Sequence, residues 1–443
     1  MAFIPKAKQL GLPALTAIMA GTVIGPGVVS LVGPSIATAG NGAWIAYIAA
    51  VIVGFLLIVP YALLCNAVRI NGGNYTFISN NLGDFWGGVY GLAYTLNGFS
   101  IGMFGLSFGM YLGALFPSWD QTVLAICFIT FFFIINLFGV NLMSKFQNVL
   151  FVILLCGMMC YIVFGLFHLR PEALDITAPG YMKDGWAGFG AAVLMLIFST
   201  TGHFFAIAFS KEAKDPKRDM PLAMVLTSLI ILILFPLLSF VTSATFPLEA
   251  VAGKPLTVAA QQILPTPLYY AFVIGGPLMA LCTTLNSIYT SLSRPLAQAT
   301  RDGWFPEKWG ATNKAGTPYI FMGFVYLMGF VPILIGMDIS AITGNLVLIT
   351  SITDLLVFFA VMRFPEKMPG AWENRHFKVP RPVFLGLIWL AIAIRIVCII
   401  GSFNTLTPTI FLFTIVAMAA FCVYCYFRKK HHPIRIEKSS SID

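Results

Sequence analysis

Long apolar stretches separated by short polar or Gly/Pro-rich joints fill this chain almost from end to end. Twelve of them can be read, at about 9–38, 41–65, 84–116, 120–139, 142–167, 185–211, 221–245, 266–297, 317–337, 339–362, 382–402 and 405–427. A helix of about 20 residues crosses a hydrocarbon core of about 30 Å, and it satisfies its own backbone groups while doing so. The pattern therefore predicts an all-α polytopic membrane protein with 12 transmembrane helices. A transmembrane barrel would show alternating segments of about ten residues, and the chain has no such run. One transmembrane domain is expected over 1–427, followed by a polar tail at 428–443.

Two of the stretches carry internal breaks. The first contains Gly21-Thr22-Val23-Ile24-Gly25-Pro26-Gly27-Val28 in mid-span. Gly25 and Gly27 have no side chain, and Pro26 lacks an N–H and crowds the preceding turn. A helix interrupted there exposes peptide groups that cost several kcal/mol each in hydrocarbon unless protein, water or a ligand meets them. The sixth stretch holds Phe198-Ser199-Thr200-Thr201-Gly202-His203 at matching depth. Its hydroxyls can bond freed backbone groups or simply back-bond within a continuous helix. Together with the first break, the pattern favours a second unwound segment. Broken first and sixth helices are what a 5+5 inverted repeat produces, here 9–167 and 185–362, with 382–427 as two additional helices.

Composition agrees. Of 443 residues, 58% are hydrophobic and 10% charged, against about one quarter charged in soluble domains. The net charge of +9 reflects topology. With the N-terminus inside, the inner loops and tails hold most basic residues, including Lys211, Lys214, Arg301, Lys308, Arg375 and the Arg428–Lys430 cluster. The outer loops hold Arg170, Lys183 and Lys254. Both termini are thus expected in the cytoplasm, and a nucleic-acid partner is not. Met1–Gln9 is too short, and the apolar run after it too long, for a cleavable signal. The eight cysteines lie almost wholly within spans, so no disulfide framework is expected. Cys422 and Cys425 have C-x-x-C spacing without a second pair, so no metal or cofactor site is read there.

Gly98, Gly102, Gly105, Gly109 and Gly113 give the third span a small-residue face suited to close helix packing. Few titratable groups fall within spans, and each marks a pathway or a pair. His203 adjoins the second break and is a candidate coupling group, the alternative being a neutral hydrogen-bonded histidine. Asp354, in the inner half of the tenth span, is expected to be neutralised by Arg294 or Lys145, as a structural pair or a coupling group. Arg395 is read as structural or interfacial. Thr290 and Ser291 offer hydroxyls for a sodium site, with back-bonding as the plainer reading.

At Gly21 to Gly27, Glu212 to Pro221, Arg301 to Pro306 and Asn313 to Pro318, with Gly-Gly-x-Tyr at Gly72 to Tyr75, the chain resembles the amino acid–polyamine–organocation transporter superfamily. The match covers nearly the whole chain. The resemblance implies a ten-span inverted-repeat core plus two spans, with substrate held between broken helices 1 and 6. A carboxylate would sit on amides freed in the first helix and an ammonium on carbonyls of the sixth, as half-helix dipoles favour. Mapped here, this implicates Thr22, Val23, Gly25, Gly27 and Val28, with Phe198, Ser199, Thr201 and Gly202; Phe198 falls where relatives carry an aromatic gate. Three positions depart from relatives. Pro26 replaces an amide donor, Leu154 stands where proton-coupled relatives carry lysine, and Phe204 stands where relatives for cations carry an acid.

The expected function is secondary transport of a neutral amino acid or related amine across the cell membrane by alternating access. The alternative is a proton-coupled symporter or exchanger of a polyamine or cationic amino acid. An enzyme would need clustered acid, base or nucleophile groups at one depth, which the scattered acids and lone His203 do not supply. Paired mid-span breaks argue against a channel. The expected partners are the small-molecule substrate and membrane lipid, with a homodimer also among them.

Overall fold

The structure, a computed structural model, describes residues 10–68, 73–138, 147–178, 181–203 and 213–436. The described residues form helices in the order α1 (Leu12–Val23), α2 (Pro26–Ala39), α3 (Ala43–Cys65), α4 (Gly73–Leu82), α5 (Asp84–Tyr94), α6 (Phe99–Leu115), α7 (Gln121–Leu137), α8 (Gln147–Leu166), α9 (Gly185–Thr200) and α10 (Pro216–Thr245). There follow α11 (Leu248–Val251), α12 (Leu256–Ile263), α13 (Thr266–Val273), α14 (Met279–Arg301), α15 (Tyr319–Leu334), α16 (Ile339–Lys367), α17 (Pro369–Glu373), α18 (Arg381–Thr405) and α19 (Pro408–His431).

Seven uninterrupted helical runs are long and apolar enough to cross a membrane. The pair α1 and α2 adds one more as a bent unit, and α7, α8, α9 and α15 are shorter apolar helices. Each of these coincides with one of the expected stretches. The sixth stretch is described only as far as His203, so its inner part, with Phe204, Lys211 and Glu212, lies outside the described residues. Helix starts follow local chemistry. The Asp120 carboxylate accepts from Val123 N–H at 2.9 Å and that of Asp338 from Ala341 N–H at 2.8 Å. Prolines open α10 and α19, where the first amide has no intrahelical acceptor to lose. Pro277 in mid-run forces a π-helical turn, Ile274–Leu278, between α13 and α14.

The buried core is continuous from Leu15 on α1 to Cys425 on α19. The third-span glycines lie at helix crossings. A Cβ on Gly102 would stand 2.6 Å from the Gly329 carbonyl oxygen, and one on Gly109 would stand 2.2 Å from that of Gln121. They let α6 press onto α15 and α7. The last two long helices are peripheral: 33% of α18 and 17% of α19 is buried across their most apolar windows, against 72% of α16. Their outward faces carry large apolar side chains such as Val397, Phe403 and Leu412, a lipid-facing surface. All eight cysteines are free.

Two short straps set the broken pair in register. At one end Leu10 bridges to Ala213, with Lys214 N–H donating to the Leu10 carbonyl at 2.8 Å. At the other, α2 ends at Gly40, whose φ of +64° suits glycine, and Gly40 bridges to Met182 just before α9.

Candidate functional site

The first span is interrupted where its sequence requires. α1 ends at Val23, Ile24 leaves the helical region with ψ of 69°, and Gly25 takes φ −127°, ψ −140°. α2 starts at Pro26, and the two axes differ by 41°. The first turn of α2 begins with a residue that has no amide hydrogen, so by helix geometry the Gly27 and Val28 amides have no acceptor within their own helix. On the other side of the break, the Gly21 carbonyl accepts from the Thr284 hydroxyl of α14 at 3.3 Å. Tyr111 of α6 donates to the Val29 carbonyl at 2.6 Å, and its oxygen accepts from Leu256 N–H at 3.2 Å. Neighbouring spans thus hold the break open from both sides.

The sixth span loses its α-helical path at the same depth. α9 ends at Thr200, and Thr201 turns to φ −113°, ψ 9°. The path continues as a single tighter turn over Gly202 and His203, the last residues described before position 213. The break residues touch across the gap. A Cβ on Gly202 would lie 3.1 Å from the Thr22 carbonyl oxygen and 3.3 Å from a Val23 methyl.

Between the breaks lies a cavity of about 40 Å³. At about 10–15 Å³ for each enclosed water, it has room for about three. Thr22, Val23, Gly27, Phe198, Ser199, Thr201 and Gly202 line it, all of them site residues expected from the sequence. Gly25 and Val28 flank it: Val28 is fully buried, and a Cβ on Gly25 would meet the Thr284 hydroxyl at 2.8 Å. The remaining wall comprises Asn97, Ser100 and Phe104 from the third span, Thr284 and Ile288 from α14, and Thr350 from α16. Sequence reasoning did not single these out. A polar residue in an otherwise apolar helix was the available signal, and many others share it.

Among the described residues the wall carries no charged side chain. Four of its hydroxyls direct their protons into their own helices: Thr22 to Met19 O at 2.7 Å, Ser199 to Leu196 O at 2.6 Å, Thr201 to Ile197 O at 3.1 Å and Thr350 to Leu346 O at 2.7 Å. Each hydroxyl oxygen therefore has lone pairs free to accept, while the N–H groups at the start of α2 donate. The two sides of the cavity are chemically distinct.

The two coupling candidates lie away from this wall. His203 is fully buried, with Nε2 3.3 Å from the Ser228 hydroxyl of α10 and no partner at Nδ1. The expected pairing of Asp354 with Arg294 or Lys145 falls on side chains outside the described residues. Among the described residues Asp354 pairs with Arg395, joined by a short hydrogen bond and ion pair, and Tyr61 donates to the other carboxylate oxygen at 2.5 Å. α18 packs along α16, which brings Arg395 against Asp354. Position 145 and the Arg294 side chain lie outside the described residues, as does the Thr290 side chain named for a sodium site. Leu154 is buried on α8, which packs against α1.

Comparison with known proteins places this geometry. Residues 10–422 match the amino acid permease family. The chain is 26% identical over 421 residues to a serine/threonine exchanger, SteT, of Bacillus subtilis, covering 91% of both chains. It is 23% identical to the branched-chain amino acid permease BcaP of the same organism, over 96% of this chain and 94% of the relative. A cadaverine/lysine antiporter of Escherichia coli is 26% identical over 70% of this chain and 71% of its own. Its relatives are transporters rather than enzymes, and the chain belongs to the amino acid permease family of the amino acid–polyamine–organocation superfamily, as a multi-pass membrane protein.

Proposed function

We propose that this permease is a secondary transporter of a small neutral amino acid or closely related amine, working by alternating access. The observation that carries this reading is the cavity between the breaks of the first and sixth spans, whose described lining is uncharged. A substrate carboxylate meets the free amides of Gly27 and Val28 at the positive end of α2, and its ammonium meets acceptor oxygens around Ser199 and Thr201. Pro26 leaves only two such amides, so anchoring rests more on the ammonium side. The small volume favours a short side chain. The wider architecture consistent with this reading is twelve spans in a five-plus-five inverted repeat with two more outside it, in the cell membrane, with both termini cytoplasmic.

A second reading, proton-coupled exchange of a cationic amino acid or polyamine, draws support from the likeness to the cadaverine/lysine antiporter. The described wall, which has no acid, counts against it, because a second ammonium buried there would need a counter-ion. Coupling through His203 belongs to the proposal as well, because the residue adjoins the end of regular helix in the sixth span and is titratable.

The test is thermal stabilisation of the purified protein across a panel of amino acids and amines. A ligand at a hundred times its Kd adds about 2.7 kcal/mol to folded-state stability. Stabilisation by short neutral amino acids, with lysine and cadaverine inert, supports the first reading; the reverse ranking replaces it with the second.

A further inference from the structure

A second cavity, of about 760 Å³, lies between α15 and α19 and shares no lining residue with the first. That volume falls within the range of about 300–1,000 Å³ typical of small-molecule sites, whereas the transport cavity is many times smaller. Its wall is almost entirely apolar. One side is the first half of α15, Tyr319 to Leu327, and the other is the last half of α19, Ala420 to Tyr424; Phe305 and Trp309 form the floor. The stretch from Tyr319 to Leu327 rises about 12 Å, close to the depth of one leaflet's hydrocarbon at about 15 Å. Phe324 and Leu327 line it yet remain 40% and 52% exposed, so the crevice opens sideways on the lipid-facing surface.

Its rim is basic. α19 ends in Arg428, Lys429, Lys430 and His431, and Lys308 precedes Trp309 in the turn at the floor. Arg428 donates to the carbonyls of Gly303 at 3.0 Å and Phe305 at 3.4 Å, which fixes a guanidinium at the crevice's end. Two acids lie near this rim, Glu307 beside Lys308 and Asp84, 3.8 Å from Lys429. They leave an excess of cations. Trp309, 46% exposed, and Tyr319, 44% exposed, stand there as interfacial aromatics do.

We propose that this crevice binds one anionic phospholipid of the adjoining leaflet, with an acyl chain between α15 and α19 and its phosphate at the Lys308–Arg428 rim. An apolar space open to hydrocarbon is filled by lipid tails, and clustered Lys and Arg at helix ends recognise anionic headgroups. The lipid wedges α19 against the bundle where protein contacts leave a gap.

The test uses wild-type protein and Gly323→Leu in native mass spectrometry from detergent. The probes are phosphatidylglycerol and phosphatidylcholine with identical chains. Gly323 lines the crevice, and a Cβ there meets nothing within 4 Å, so leucine fills the space without disturbing the helix. The expected result is one retained phosphatidylglycerol on the wild type, at least fivefold less on Gly323→Leu, and a lower preference for phosphatidylglycerol over phosphatidylcholine in Lys308→Gln. Circular dichroism and thermal unfolding verify that both variants are folded. Equal retention by wild type and Gly323→Leu, or no preference between the two lipids, overturns the proposal. So does a wild-type dimer that Gly323→Leu dissociates, since a second copy of the chain would then occupy the crevice.

Discussion

Gly27 and Ser199 close on each other across the site: a Cβ built on Gly27 would lie 2.6 Å from the Ser199 Cβ and 2.7 Å from its Cα. The first residue carries one of the free amides of α2, and the second stands one residue before the end of α9 at Thr200. The glycine is what lets the two breaks approach this closely. Gly27→Val should therefore cut uptake at least tenfold while the protein still inserts and folds, because the clash falls on the site rather than on the core. Uptake by proteoliposomes, normalised to incorporated protein, checks this; wild-type transport by the variant would mean that the breaks do not meet at the substrate.

The helix breaks depend on partners in other spans. Tyr111→Phe removes the donor to the Val29 carbonyl and the acceptor for Leu256 N–H in one step. The Val29 carbonyl lies inside α2 and keeps its helical donor, whereas the Leu256 amide, first in α12, is left unmet at a cost of about 1–3 kcal/mol. The expected result is a fall of several degrees in the thermal unfolding midpoint, measured in detergent, with residual transport.

Arg395 and Asp354 form a charge pair with both side chains buried, which ties α18 to α16. Removing one partner leaves an uncompensated charge, and breaking such pairs costs about 3–5 kcal/mol. Arg395→Leu should strongly lower stability and yield. The double variant Arg395→Leu with Asp354→Leu should recover most of the loss, since replacing both charges by apolar groups is often neutral. Equal instability in single and double variants would show that the charges themselves hold the helices.

Coupling through His203 predicts that His203→Gln flattens the pH dependence of uptake while leaving substrate-induced stabilisation intact. Parallel pH profiles of variant and wild type would remove His203 from the coupling step.

The first break was readable from Gly25-Pro26-Gly27 because proline and glycine act locally, through a missing amide and missing side chains. The end of regular helix at Thr200 was readable from clustered hydroxyls beside Gly202. Asn97, Ser100 and Thr350 were not, for a physical reason. Helices buried on most sides show little amphipathic periodicity, so their sequence does not reveal which face meets a cavity. The pairing of Asp354 with Arg395 was not legible for a related reason. Arg294 and Lys145 were candidates by approximate depth alone, whereas the pairing with Arg395 depends on how α18 lies along α16.

The most direct measurement is an experimental structure with the best stabilising ligand bound. The account predicts ligand density between the Gly27 and Val28 amides and the Ser199–Gly202 segment, with both helices interrupted there. Density at another depth, or a first span that runs as one continuous helix through Ile24 and Gly25, would contradict it.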